Sequence, residues 1–242
     1  MQVKYLHFPS LSSTNTWAKE HVDNLEKNAL TVISAAEQTD GYGRFRHKWH
    51  SPANQNLYIS FVFFLEKRRD DLCNVSQILA LSTIEILNEL GFQAKIKWPN
   101  DLLLNGKKMG GLLCETTRSE DYLAIITGLG LNVNMTDEDL KKIDRPATSL
   151  YVESQELMDQ ETLLKMLSHT FLKNLTTFLA KGFPPFYENF VNALVHKAGD
   201  PVQFHDYHKI CQGTFEKINA DGSLSLIMSN GTPLTYYSGE LL

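Results

Sequence analysis

The sequence predicts an α+β fold, a mixed β-sheet packed against helices, followed by a small C-terminal β-barrel. Three observations carry that expectation. Strand-like and helix-like runs alternate, yet several strands are joined by hairpin turns, so the pattern is not the strict βαβ repeat of a parallel sheet. Two stretches, residues 74–90 and 159–180, repeat apolar side chains at helical spacing. From Ala198-Gly199-Asp200 onward the texture changes to short strands and glycine turns, which sets a division into domains 1–197 and 198–242.

Taken in order, residues 2–8 form a short strand, and the hydroxyls of Ser12, Ser13 and Thr14 cap a polar helix reaching about residue 25. Leu30 to Gln38 reads as a strand that runs into a basic, glycine-containing loop ending at His50. Asn56 to Phe64 is dense in β-branched and aromatic residues and reads as a central strand. Asn74 with Gln77 three residues on predicts a capping box for the next helix. Gly91 ends that helix. Residues 93–98 and 101–104 are strands around the turn Pro99-Asn100-Asp101, and Asn105-Gly106 marks a tight hairpin into a strand at 109–116. Residues 122–133 form another strand, interrupted by glycines. Helices at 159–180 and about 185–196 follow, then strands at 201–205, 209–217, 223–228 and 232–236. This last unit is too small to bury much alone and is expected to dock on the larger part.

Composition narrows the function. The 242 residues are 43% apolar and 21% charged, an ordinary balance for a folded protein. The formal charge of −5 gives no general attraction for nucleic acid. Three scattered cysteines, Cys73, Cys114 and Cys211, do not make a disulfide framework and fit a reducing, cytoplasmic setting. No apolar run is long enough to span a membrane, and the N-terminus has no signal-peptide pattern.

Three segments are candidates for chemistry, each with a plainer alternative. In DGYGRFRHKWH (residues 40–50), Gly41 and Gly43 allow a tight bend, and Arg44, Arg46 and Lys48 crowd positive charge together. The segment is either a solvated basic turn or a site where a phosphate or carboxylate relieves the repulsion. In KIKWPNDLLLNGKKMGG (residues 95–111), Lys97 points opposite to Ile96 and Trp98, and Asn100 and Asp101 sit at a strand end, where ligand groups gather. Asp101 suits a cation such as Mg²⁺, while Asn100 and Asp101 equally suit simple turn chemistry. Lys107 and Lys108 follow the hairpin, and Gly110 and Gly111 would admit a ligand lying close to the strand. In TGLGLNVN (residues 127–134), Gly128 and Gly130 mark either a bulge or a strand over which something flat passes. Asn132 there offers a donor and an acceptor. Trp49 is either a core residue or a platform beside the basic loop. His205, His208 and Cys211 have a spacing zinc ligands sometimes use, but no fourth ligand is evident.

Together these segments resemble the biotin–protein ligases. The resemblance rests on SSTN (Ser12 to Asn15), EQTDGYGRFRHKWHSP (Glu37 to Pro52), NLYIS (Asn56 to Ser60), KWPND (Lys97 to Asp101), KKMGG followed by Leu112 to Glu115, and GLGLN (Gly128 to Asn132). It extends through SGELL (Ser238 to Leu242), so it covers nearly the whole chain. It implies a class II synthetase-like catalytic domain with an SH3-like C-terminal barrel. It implies ATP and Mg²⁺ as cofactors, biotin as substrate, and a biotin carboxyl carrier domain as partner. Ser13, Thr14 and Gln38, with the backbone around Gly41 and Gly43, would hold the ureido ring. Arg44 and Lys108 would face the carboxylate and α-phosphate, and Asn100 and Asp101 the phosphates and Mg²⁺. Asn132 would face adenine with Trp49 beside the nucleotide, while Lys97, Gly111 and Gly128 complete the binding set. The sequence departs from the family at Tyr42, where arginine is common, at Arg46, where glycine is common, and at His47, where arginine is common.

The implied chemistry is adenylation of biotin followed by transfer to a lysine. A lipoate–protein ligase or octanoyl transferase of the same fold is the rival enzyme, and a non-catalytic nucleotide-binding sensor is the rival binding protein. The chain begins at the catalytic segment, so neither DNA binding nor repression is expected. A homodimer through a sheet edge is left open.

Overall fold

The computed structural model describes residues 1–66, 69–119, 122–206 and 209–242. A seven-stranded sheet forms its centre. In chain order its strands are β1 (Gln2–Phe8), β2 (Ala29–Ala35), β3 (Leu57–Leu65), β4 (Lys95–Lys97), β5 (Asp101–Leu104), β6 (Lys107–Ser119) and β7 (Tyr122–Leu131). They lie side by side as β1-β2-β3-β7-β6-β5-β4. Only β1 and β2 pair in parallel, so the sheet is mixed, as the hairpin signals predict.

Helices cover both faces, and the period of β3 shows how. Its odd residues Ile59, Phe61 and Phe63 enter the larger core with α2 (Asn74–Glu89) and α5 (Gln160–Lys181). Its even residues Val62 and Phe64 face a second core built on Ala18 and Val22, at and just beyond α1 (Thr14–Glu20). Two short helices, α3 (Asp137–Leu140) and α4 (Leu150–Ser154), lie in a stretch where the sequence shows no helical period. The last helix is α6 (Tyr187–Ala193). Helix α1 ends at His21 and a 3₁₀ turn follows, so the first helix is shorter than its polar pattern predicts. The Asn105-Gly106 hairpin forms as expected, with φ of 50° and 75° at the two residues.

The capping box at Asn74 does not form. Cys73 occupies the cap position of α2 with no side-chain bond. Asn74 Nδ2 instead donates to the Asp221 carbonyl at 2.8 Å, and Gln77 Nε2 to the Gly222 carbonyl at 2.8 Å. A tertiary demand has displaced the local one: both amides hold the C-terminal unit.

That unit is not the barrel the sequence predicts. Strands β8 (Pro201–His205), β9 (Ile210–Ile218), β10 (Leu224–Met228), β11 (Pro233–Tyr236) and β12 (Glu240–Leu241) form one sheet in the order β11-β10-β9-β8-β12. Among the described residues neither sheet closes on itself. β11 pairs only with β10, and the two-residue β12 pairs only with β8, so its ends stay apart. Closure is unnecessary because the main body already covers the apolar face. Phe204, Phe215, Leu224 and Leu226 join the same core as Trp98. Trp98 also donates from Nε1 to the Gly222 carbonyl at 3.2 Å. Among the described residues no helix is long and apolar enough to cross a membrane.

Candidate active site

The face of the large sheet that carries α1 hollows into a cavity of about 350 Å³. The hollow has a simple cause. Gly128 and Gly130 on β7 lie on the same side as Gly111 on β6, with Gly111 directly opposite Gly130. Missing side chains leave a trough, and two side chains from elsewhere settle in it. Asn15 rests on Gly128, where a Cβ would come within 2.6 Å of its Oδ1. The Trp49 indole rests on Gly130 and Gly111, where added Cβ atoms would fall 2.5 Å and 3.3 Å from the ring. The flat group over the glycine strand is therefore the chain's own Trp49. Gly130→Ala should push the indole off the sheet and weaken ligand binding at least ~10-fold, with a stability loss of only about 1–3 kcal/mol. Titration calorimetry beside a thermal melt checks both.

One end of the cavity is polar and neutral. Ser13 caps α1 through Thr16 N at 3.4 Å, which sets Thr14 and Asn15 facing inward. The backbone N–H and hydroxyl of Thr14 donate to Gln38 Oε1 at 2.9 and 3.2 Å, and Gln38 Nε2 donates to Ser51 Oγ at 3.3 Å. Ser60 on β3 sits 2.8 Å from Thr14 Oγ1 and 2.5 Å from Asn15 Oδ1. Gly41 stands behind this row, because a Cβ there would meet Ser51 Oγ at 2.6 Å and Gln38 Nε2 at 2.8 Å.

The other end is charged. Lys108 Nζ and Asp101 Oδ1 pair at 2.6 Å, with side chains only 18% and 15% exposed. The backbone of Lys108 is fixed by an N–H bond to the Pro146 carbonyl and by its own carbonyl accepting from Thr148 N. Its ammonium lies 5.5 Å from the Trp49 ring centre. The Trp98–Pro99 peptide before this turn is cis. Arg44 Nη1 donates to Asn100 Oδ1 at 3.2 Å and to the Gly239 carbonyl at 2.7 Å, joining the basic loop to the C-terminal sheet. Asn100 is itself held by Nδ2 donation to the Leu112 carbonyl at 2.8 Å. Asn132, buried, lines the cavity and donates to the Thr148 carbonyl at 3.0 Å.

Five Lys and Arg residues but three carboxylates line the cavity, so it is locally positive inside an acidic protein. His50 reports this. Burial lowers its pKa, and the nearby Lys142 and Lys48 lower it further, against the opposing pull of Asp139. Lys142 and Arg145, from the turn after α3, belong to this rim and carry no motif that the sequence would flag.

Of the residues expected at the site, Ser13, Thr14, Gln38, Gly43, Arg44, Trp49, Asn100, Asp101, Lys108, Gly111, Gly128 and Asn132 line the one cavity. Lys97 does not. It lies near His196, whose pKa is lowered by burial and then by that lysine's charge. Arg46 takes φ 60°, the left-handed conformation that glycine reaches without a Cβ penalty. Among the described residues no group of three or more His, Cys, Asp or Glu side chains is arranged to hold a metal. His208 of the zinc-like spacing lies outside the described residues.

A second cluster stands beside the polar end, and no local motif marks it. Glu115 on β6 accepts from Lys19 Nζ at 2.9 Å, Asn15 Nδ2 at 2.9 Å and the Tyr42 hydroxyl at 3.1 Å. Burial raises the Glu115 pKa, but the bonds from Lys19 and Asn15 outweigh it, and the net shift is downward from 4.5. A depressed carboxylate contributes stability that is present above its unfolded pKa and is lost as pH falls through the folded one. The thermal midpoint of Glu115→Gln should therefore lie below that of the parent at neutral pH, and the gap should close as the pH drops below 4.5.

Comparison with known proteins agrees with the geometry. A sequence model described as the biotin/lipoate A/B protein ligase family matches residues 7–132. The bifunctional ligase/repressor BirA of Bacillus spizizenii is 32% identical over 183 residues, covering 72% of this chain and 54% of that protein. The chain thus spans about half the length of that curated relative. The biotin--[acetyl-CoA-carboxylase] ligase of Paracoccus denitrificans is 27% identical, with 88% of this chain and 90% of that one covered. Among solved structures, the biotin protein ligase of Aquifex aeolicus in complex with biotin and ATP superposes with a TM-score of 0.80 at 27% identity, covering 99% of this chain and 97% of that chain. With the match spanning more than half the sequence, this chain belongs to the biotin/lipoate A/B protein ligase family.

Proposed function

We propose that this chain activates biotin with ATP, forming biotinyl-5′-AMP, and passes the biotin to a lysine of a biotin carboxyl carrier domain. The carrying observation is that one cavity joins a neutral hydrogen-bonding end, built on Ser13, Thr14 and Gln38, to a cationic end built on Arg44 and Lys108. The neutral end suits a ureido ring, which needs both donors and acceptors. The cationic end suits the meeting of a carboxylate with a phosphate.

In the first step a biotin carboxylate oxygen attacks the α-phosphorus of ATP, and pyrophosphate leaves with the electron pair of the broken P–O bond. Arg44 and Lys108 oppose the repulsion between the two anions and stabilise the charge that develops on the phosphoryl oxygens. Asn100 and Asp101 arrange the phosphates, Asn132 faces the adenine, and Trp49 lies beside the nucleotide. Asp101, paired with Lys108 here, is the carboxylate that would hold Mg²⁺ arriving with ATP, and the ion would neutralise phosphate charge there. In the second step the neutral amine of the acceptor lysine attacks the acyl carbon. The amide forms and AMP departs. No side chain need become covalently attached, so rate comes from orientation and charge.

In this reading residues 1–197 carry the chemistry, and residues 198–242 brace the basic loop through the Arg44 contact at Gly239. It acts in the cytoplasm, where its three free cysteines stay reduced. The test is exchange of labelled pyrophosphate into ATP. The expected result is exchange that requires biotin and is not supported by lipoate. Exchange supported by lipoate alone would assign the site to the other branch of the family, and ligand binding without exchange would make the chain a sensor.

A further inference from the structure

Tyr42 stands between the two loop glycines, and its surroundings give it a task of its own. The loop is folded as a tongue: Gly43 N donates to the His47 carbonyl at 2.8 Å and Trp49 N to the Gly41 carbonyl at 2.8 Å. Its root carries Gln38 and its far strand carries Trp49, so the tongue forms part of both ends of the cavity. Two residues anchor it elsewhere. Arg44 reaches Asn100 and Gly239, toward the C-terminal sheet. Tyr42, two positions earlier, reaches the other way.

Its hydroxyl donates to Glu115 Oε2 at 3.1 Å and accepts from Lys19 Nζ at 3.0 Å. Lys19 and Glu115 are themselves paired at 2.9 Å, with side chains 31% and 25% exposed. The Arg46 guanidinium lies 4.4 Å from the centre of the Tyr42 ring. The Lys19–Glu115 pair thus ties α1 to β6 and grips the tongue by a phenol. Glu115 continues through Asn15 to Ser60 and Thr14, so the same carboxylate holds the tongue and the polar end of the cavity.

We propose that Tyr42, clamped by Lys19 and Glu115, is a positioning residue that sets how long the glycine tongue stays closed over the activated intermediate. The proposal rests on the adenylating reading of the site. A mixed acyl–phosphate anhydride is consumed by any water or amine that reaches it, so the enzyme needs the tongue shut until the acceptor lysine arrives. Arg44 touches the reacting groups in that reading. Tyr42 acts through the tongue, and so its loss falls on retention more than on the rate of adenylation at saturating substrates.

The experiment loads the protein with labelled biotin and ATP in the presence of pyrophosphatase, separates it from free ligand, and follows the half-life of bound label. Tyr42→Phe removes only the hydroxyl, Lys19→Met removes the cation from outside the cavity wall, and Lys19→Arg restores it. The half-life is expected to fall about tenfold in Tyr42→Phe and in Lys19→Met, the effect of one lost hydrogen bond to a charged group. Lys19→Arg is expected to recover most of it. In both weakened variants the apparent KM for biotin should rise more than kcat for exchange falls, which a loss of fold alone would not produce. Equal half-lives in the parent, Tyr42→Phe and Lys19→Met would overturn the proposal. A parent protein that acquires no label from biotin and ATP would overturn the adenylating reading instead, and the clamp's role with it.

Discussion

Lys108→Ala is expected to slow biotin-dependent pyrophosphate exchange by about 10²–10³-fold, the usual cost of removing one preorganised group from a site of developing charge. The ammonium is unusually well placed for that work. Its backbone is held on both sides by the turn at residues 146–148, its carboxylate partner Asp101 lies 2.6 Å away, and both side chains are largely shielded from water. A pair so placed keeps the cation in position when no substrate is present. Substrate phosphate then competes for a charge already desolvated, so little reorganisation is left for the reaction itself. Lys108→Arg should recover little, because a longer planar fork cannot sit where a compact ammonium pairs with Asp101 at 2.6 Å. A structural explanation is separable. Adding Asp101→Asn to Lys108→Ala removes the stranded carboxylate and should restore thermal stability while the rate stays low. Recovery of rate in the double variant would mean that Lys108 serves only to neutralise Asp101.

Trp98→Ala is expected to cost about 3–5 kcal/mol of stability, as truncation of large buried aromatics does. For a chain of this size that is a fall in Tm on the order of 10 °C. Trp98 is 2% exposed and sits where the two sheets meet. Its ring lies 6.2 Å from that of Phe204, and its Nε1 donates to the Gly222 carbonyl that also accepts from Gln77. The loss should be felt first as undocking of residues 198–242, and through Gly239 as loosening of Arg44. Thermal denaturation with limited proteolysis checks it: cleavage near residue 198 should appear before global unfolding. Trp98→Phe, which keeps most of the apolar contact but not the hydrogen bond, should lose much less. Equal stability in Trp98→Ala and the parent would mean that the C-terminal sheet is held by other contacts.

What the sequence made legible follows period and turn chemistry. The β3 run, the Asn105-Gly106 hairpin and the stop at Gly91 are set by neighbours in the chain, and each forms where expected. The site motifs were legible because glycine, lysine and acidic residues gather at strand ends, and nearly all of them reach one cavity. What failed depended on distant partners. Asn74 and Gln77 read as a capping box, yet their amides are committed to a turn 147 and 145 residues away. Four short strands read as a barrel, but strand content does not encode whether the first and last edges meet. Alternation set Lys97 opposite Ile96 and Trp98 without saying that the cavity would open elsewhere. The Tyr42 clamp was invisible for the same reason, since Glu115 and Lys19 are joined across 96 residues and Tyr42 and Glu115 across 73.

Activation at this site requires two anions to be brought together between Arg44 and Lys108. The most direct measurement is a crystal structure of the protein with biotin and a non-hydrolysable ATP analogue. The expected result places the bicyclic ring against Ser13, Thr14 and Gln38, and the carboxylate and α-phosphate between the guanidinium and the ammonium. Finding the two ligands in separate places, or the carboxylate turned away from both cations, would contradict it.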